Sequence, residues 1–130
     1  MALSNGTGGY QIGAGATDEA IMFVQGAPTA LTAAATATAS QLENGLFTFD
    51  GTAGNLTLPT VALMEAGMPS AQKVNSAFDF FVINLDASDA ITLAVGTGWS
   101  IVGVAAVSAL TSAQFRARKT GDGTWTAYRL

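Results

Sequence analysis

Turn-forming residues cut this chain into short pieces before any apolar run becomes long. Asn44 with Gly45, Asp50 with Gly51, Gly96 with Gly98, and Gly121 to Gly123 around Asp122 punctuate the sequence. These residues supply the positive φ angles or local side-chain hydrogen bonds that tight turns need. Between them apolar residues alternate, as Ile91, Leu93 and Val95 do, which is the pattern of a strand with one buried face. The longest apolar stretch, residues 101–110, is interrupted by Gly103 and Ser108 and is far too short to span a bilayer.

The pattern predicts strands at residues 21–25, 46–49, 55–58, 77–85, 90–95, 102–110, 113–119 and 124–130. Residues 30–40 alternate Thr and Ala, which suits a strand with a small-residue face better than a helix, because β-branched Thr disfavours helix. One helix is expected over residues 61–66, opened by Pro59 and Thr60 and closed by Gly67 and Pro69. Residues 1–20 hold Gly6, Gly8, Gly9, Gly13 and Gly15 among small residues, so a flexible N-terminal arm is expected, with Tyr10 and Ile12 as its bulky apolar anchors. The expected fold is all-β: a single β-sandwich or jelly-roll-like domain over residues 21–130, with one short helix and the Gly-rich arm.

A chain of 130 residues is large enough for one such domain. Area scaling gives about 6,400 Å2 folded against about 19,000 Å2 unfolded, so a core forms without covalent staples. The sequence has no Cys and no His, which removes disulfides, thiolate metal sites, and the commonest general base and metal ligand. Charged residues make up 11%, against about 25% in a typical soluble domain. Two readings follow: a robust monomer with a neutral surface, or a surface covered by partner subunits, whose interfaces resemble a domain core cut in half. Met1 to Tyr10 lacks the basic residue and apolar run of a signal peptide, so the sequons at Asn5 and Asn55 are read as chance matches.

Catalytic patterns are absent. There is no GxxxxGK[ST], no GxGxxG and no GxSxG, and no His to serve a nucleophilic Ser. Asp18 with Glu19, and Asp86 with Asp89, are the close carboxylate sets; the second lies in a turn, where Asp stabilises its own backbone. A calcium site from Asn84, Asp86 and Asp89 lacks the spaced ligands of a dedicated loop. The expectation is a non-enzyme without cofactor or metal that binds other protein surfaces. Its charges are segregated: residues 1–115 carry eight acidic side chains and Lys73, whereas residues 116–130 carry Asp122 with Arg116, Arg118, Lys119 and Arg129. Pairing Lys119 with Thr124 across the Gly121–Asp122 turn would put Arg116, Arg118, Trp125 and Arg129 on one face, opposite Phe115 and Tyr128. That face is either a solvated outer strand with an Arg118–Trp125 cation–π pair or a basic patch that docks on an acidic surface. Four basic residues do not overcome a net charge of −4, so nucleic acid is not an expected partner.

The second half resembles a module common in tailed-phage virion proteins. Leu58 and Pro59 before a short helix, Phe80, Ile83 and Asn84 in a strand, Gly96 to Trp99 after a hairpin, and Phe115 to Arg118 in a last hairpin occupy the module's places over residues 55–130. The resemblance implies a capsid decoration (cement) protein. Such proteins are usually homotrimers, made in the host cytoplasm and seated on the major capsid protein lattice on the exterior of the virion; no membrane partner is expected, since no apolar stretch spans a bilayer. The same module occurs in tail, fibre and head-fibre components, and an adhesin-like carbohydrate-binding module is a third reading, with Trp99 and Trp125 as stacking platforms. Elemental analysis of the purified protein is expected to find no stoichiometric transition metal; a tightly bound one would require an unrecognised site of carboxylates and backbone oxygens.

Overall fold

The computed structural model describes residues 22–71 and 73–130. The protein is mainly β, with two sheets and two short helices. Its elements run β1 (Thr29–Leu31), β2 (Ala35–Thr36), α1 (Ala39–Asn44), β3 (Leu46–Phe49), β4 (Gly54–Thr57), α2 (Val61–Gly67), β5 (Ala77–Asn84), β6 (Ile91–Ala94), β7 (Trp99–Val102), β8 (Ala106–Val107), β9 (Ser112–Gly121) and β10 (Thr124–Arg129). The six-stranded sheet has the order β1-β3-β5-β9-β10-β7 and the four-stranded sheet β2-β4-β6-β8.

From β1 to β8 the chain visits the two sheets alternately, and the early visits stack in parallel. β1, β3 and β5 pair parallel in one sheet, and β2, β4 and β6 do the same in the other. Parallel neighbours need a crossover; here a strand of the facing sheet supplies it, with α1 in the first crossover and α2 in the second. The corners stack as well. Asp50 and Thr52 donate to the carbonyls of Leu31 and Thr32, and Leu85 donates to that of Phe49. Gly51 lies so close to the Thr32 carbonyl that any Cβ would collide with backbone. The antiparallel part comes later, where β9 pairs with β5 and β10, and β8 with β6.

Alternation places the core between the sheets. Leu56, Ile91, Leu93 and Val107 of the smaller sheet face the same interior gap as Val82 and Phe115 of the larger. Phe47, Phe80 and Phe115 line up across β3, β5 and β9, with ring centroids 6.4 Å apart for the first pair and 5.3 Å for the second, stacked pair. Phe78, Trp125 and Trp99 continue the row toward β7, each step 5.8 Å. The helices close one side, burying Leu42, Val61 and Met64. Gly67 lets Ala39 approach, so α2 packs directly on α1.

Three expectations need correction. The Thr/Ala tract is not one strand: it bends after β1, contributes two residues to β2 and then enters α1, a second helix. The cause is a capping box. Thr38 Oγ1 accepts from the Gln41 backbone N–H at 3.2 Å, and Gln41 Oε1 accepts from the Thr38 N–H at 3.0 Å. Gly45, at φ 73°, ends that helix in the left-handed region. The strand expected at 21–25 is not formed over its described residues, since residues 22–28 have no regular structure and Met22, Phe23 and Val24 stand 80%, 83% and 98% exposed. The stretch 102–110 is divided between the end of β7 and the two-residue β8, with Gly103 at φ 99° and Leu110 at φ 56° between and after them. Residues 1–21, including Tyr10 and Ile12, lie outside the described residues.

Replacing Thr38 by Ala removes the cap and is expected to cost about 1 kcal/mol in urea unfolding, while Thr38→Asp retains most of it. Phe80→Ala, at the centre of the ring row, is expected to cost about 3–5 kcal/mol by the same measurement.

Candidate interaction surface

The last hairpin carries the cationic residues, and its register decides which way they point. Asp122 and Gly123 form a two-residue turn, with Gly123 at φ 69° and Gly121 opposite Thr124. The register shifts between Thr124 and Trp125, so Trp125 pairs with Lys119 and Tyr128 with Arg116. A one-residue slip exchanges the faces of a strand. The expected cluster is therefore divided. Arg116 and Arg118 share the outer face with Tyr128, whereas Trp125 and Arg129 point inward with Phe115.

On the outer face, Arg116 grips Asp79 of β5 in two parallel contacts, Nε to Oδ1 at 2.7 Å and a terminal nitrogen to Oδ2 at 2.9 Å. Gln114 adds a donor to Oδ2 at 3.1 Å. The Arg116 hydrogen bonds lower the pKa of Asp79, and the carboxylate raises that of Arg116. Arg118 has neutral partners: the Tyr128 hydroxyl accepts at 2.7 Å and 3.2 Å, and Asn75 Oδ1 accepts at 2.8 Å. Its guanidinium lies 5.5 Å from the Tyr128 ring centre, so the cation–π partner is Tyr128 in place of the expected Trp125. Among the described residues no carboxylate forms an ion pair with Arg118. Beside these groups Phe81 stands 42% exposed on the same face, opposite Leu46 and Gln114.

Inside, a polar tie joins α2 to the hairpin. Glu65 Oε2 accepts from Lys119 Nζ at 2.8 Å and from the Trp125 indole N–H at 2.9 Å. Lys119 is 5% exposed and also reaches the Ala71 carbonyl at 3.4 Å. The hydrogen bond from Lys119, and then that from Trp125, hold the Glu65 pKa below its ordinary value of 4.5. Arg129 fastens the edge of the smaller sheet by donating to the carbonyls of Val104 and Ala106, each at 3.0 Å, over the Phe115 ring. Trp125 is 1% and Trp99 8% exposed, the latter with its indole N–H on the Pro59 carbonyl at 2.8 Å. Neither indole is an open platform for a sugar ring.

The Asn84–Asp89 turn is held by hydrogen bonds to its own backbone and to that of Ala53 and Val107. Asn84 Nδ2 donates to the carbonyls of Asp89 and Val107 at 2.8 and 2.9 Å, which fixes the turn to β8. Asp86 Oδ1 accepts from the backbone of Asp89 and of Ser88, at 2.7 and 2.8 Å, and these bonds lower its pKa. Asp89 accepts from the Ala53 N–H at 3.2 Å. These oxygens are occupied by the backbone, as in other Asx turns.

Linkage gives a pH signature. A carboxylate with a depressed folded-state pKa adds stability that is complete above its unfolded pKa and fades as pH falls through the folded value. Glu65 therefore contributes fully above about pH 4.5 and loses that contribution below it. Glu65→Gln is expected to lower stability at pH 7 and to flatten the acid limb of a pH-dependent urea series; an unchanged acid limb would show that the tie contributes nothing.

Comparison of the chain with protein-family models, with curated proteins and with solved structures finds no match in any of the three.

Proposed function

We propose that the protein is a structural virion component: a homotrimeric decoration protein of a tailed-phage capsid that binds the major capsid protein lattice from outside and performs no catalysis. One observation carries the reading. In a chain with 11% charged residues, the three consecutive apolar side chains Met22, Phe23 and Val24 stand almost fully exposed. Single exposed apolar residues are ordinary, but a contiguous run on a weakly charged surface marks a place that a partner covers.

Other features support it. The two facing sheets agree with a β-sandwich module, although the parallel winding of β1 to β6 differs from the antiparallel Greek keys of a jelly roll. Arg116 and Lys119 are already neutralised by Asp79 and Glu65, which leaves little positive field for nucleic acid. No helix among the described residues is long and apolar enough to cross a membrane. Closed cyclic symmetry would hide the apolar surface that charge does not protect.

Light scattering at micromolar concentration is expected to give about three chains per particle. Full-length protein added to undecorated shells is expected to bind them. Deletion of residues 1–16, which removes Tyr10 and Ile12, is expected to weaken that binding about ten- to a hundredfold at nearly constant melting temperature. Equal occupancy of shells by both forms across a dilution series would exclude an anchoring role for these two residues. A soluble monomer that ignores the shells would overturn the assignment.

A further inference from the structure

Asn44 and Gly45 form a pair of residues prone to spontaneous deamidation, because glycine has no side chain to hinder attack of its backbone nitrogen on the preceding amide. The fold calls for both members. Gly45 ends α1 at φ 73°, and a Cβ there would stand 3.1 Å from the Asp79 carbonyl oxygen, so a side chain would be both strained and crowded. Asn44 holds the segment that leads into β1. Its Oδ1 accepts from Gln25 Nε2 at 3.2 Å, its backbone carbonyl accepts from the same nitrogen at 2.7 Å, and its Nδ2 donates to the Ala27 carbonyl at 2.9 Å. Gly26 lies against the amide with no room for a Cβ. Residues 22–28 have no regular structure, so these bonds to one residue fasten them to α1.

The same geometry blocks the reaction. Ring closure needs a free Gly45 nitrogen, an Asn44 ψ outside the helical range and a side-chain amide turned back on the chain. In the folded protein the Gly45 N–H donates to the Gln41 carbonyl at 3.0 Å, Asn44 is the last residue of α1, and its amide is engaged by Gln25 and Ala27. The Gly45 carbonyl is held as well, by the Phe81 N–H at 2.8 Å. Reaction therefore waits for the end of this six-residue helix to open.

We propose that Asn44 is a deamidation site that the native fold locks, and that its conversion irreversibly frees residues 22–28 from α1. Hydroxide takes the proton from the Gly45 nitrogen, which attacks Asn44 Cγ. A C–N bond forms as the Cγ–Nδ2 bond breaks, and Nδ2 leaves as ammonia with a proton from water. Water then opens the five-membered imide at either carbonyl, giving an aspartate or an isoaspartate and releasing a proton. Both products lack the Nδ2 donor, so the Ala27 carbonyl loses its partner. Both also place an anion at the C-terminal end of α1, where the helix dipole disfavours it.

Peptide mapping by mass spectrometry follows the conversion in mildly alkaline buffer. It is expected to be at least about tenfold slower in the folded protein than in a synthetic peptide of residues 41–48, and to reach the peptide's rate in urea. Equal rates in folded protein and peptide would overturn the lock. The chain has no cysteine, so a spin label on V24C, at a position 98% exposed, reports on the segment alone. Adding Asn44→Asp is expected to narrow its spectrum toward that of a freely mobile chain. Labelled protein converted in urea and then refolded is expected to show the same narrowing. An unchanged spectrum in either folded sample would overturn the release. Loss of the whole fold in both would overturn it too, since conversion would then act on the core and not on the segment.

Discussion

The fold depends on a single row of rings. β5 is the strand where two architectures meet: it pairs parallel with β3 on one side and antiparallel with β9 on the other. Phe80 on β5 touches Phe47 on the parallel side and stacks on Phe115 on the antiparallel side, so one side chain fixes both registers. Through Phe78 and Trp125 the row extends into the hairpin. Glu65 then binds the Trp125 indole and Lys119, and so ties α2 to the same strands. The rings thus knit the six-stranded sheet together, and the carboxylate ties α2 to it.

Much of this was legible where patterns are local. Leu46–Phe49, the strand around Phe80, the strand from Ile91 and the hairpin at Asp122 appear where alternation and turn residues put them. Helix α2 begins after Thr60 as its cap predicts, with Thr60 Oγ1 accepting from Leu63. What was missed has identifiable causes. The capping box of Thr38 and Gln41 was present in the sequence but was outweighed by the alternation of Thr and Ala around it. The sorting of Arg116, Arg118, Trp125 and Arg129 failed because a register irregularity after Thr124 carries no residue signature of its own. Residues 21–25 failed for a different reason. Apolar composition records that a segment avoids water, and does not say whose surface covers it.

The charge asymmetry also changes meaning in the folded chain. Four cations within fifteen residues suggest a docking patch, yet two are neutralised by carboxylates from β5 and α2, and Arg129 holds a strand edge. Arg118 alone remains on the outer face without an ion-pair partner among the described residues. The acidic residues earlier in the chain are thus partly the complement of the basic end, brought to it by folding.

Among the described residues, the paired parallel winding of β1 to β6 has nothing stacked on its first turn. Such a coil is a template, because the next layer of any similar backbone could continue both sheets at once. β1 has three residues and β2 two, and Pro28, which lacks an N–H, stands immediately before β1. An end this short offers a neighbouring chain few ladder bonds and little register to hold. Pro28 and the brevity of β1 and β2 thus make this edge a poor template for pairing with a second copy.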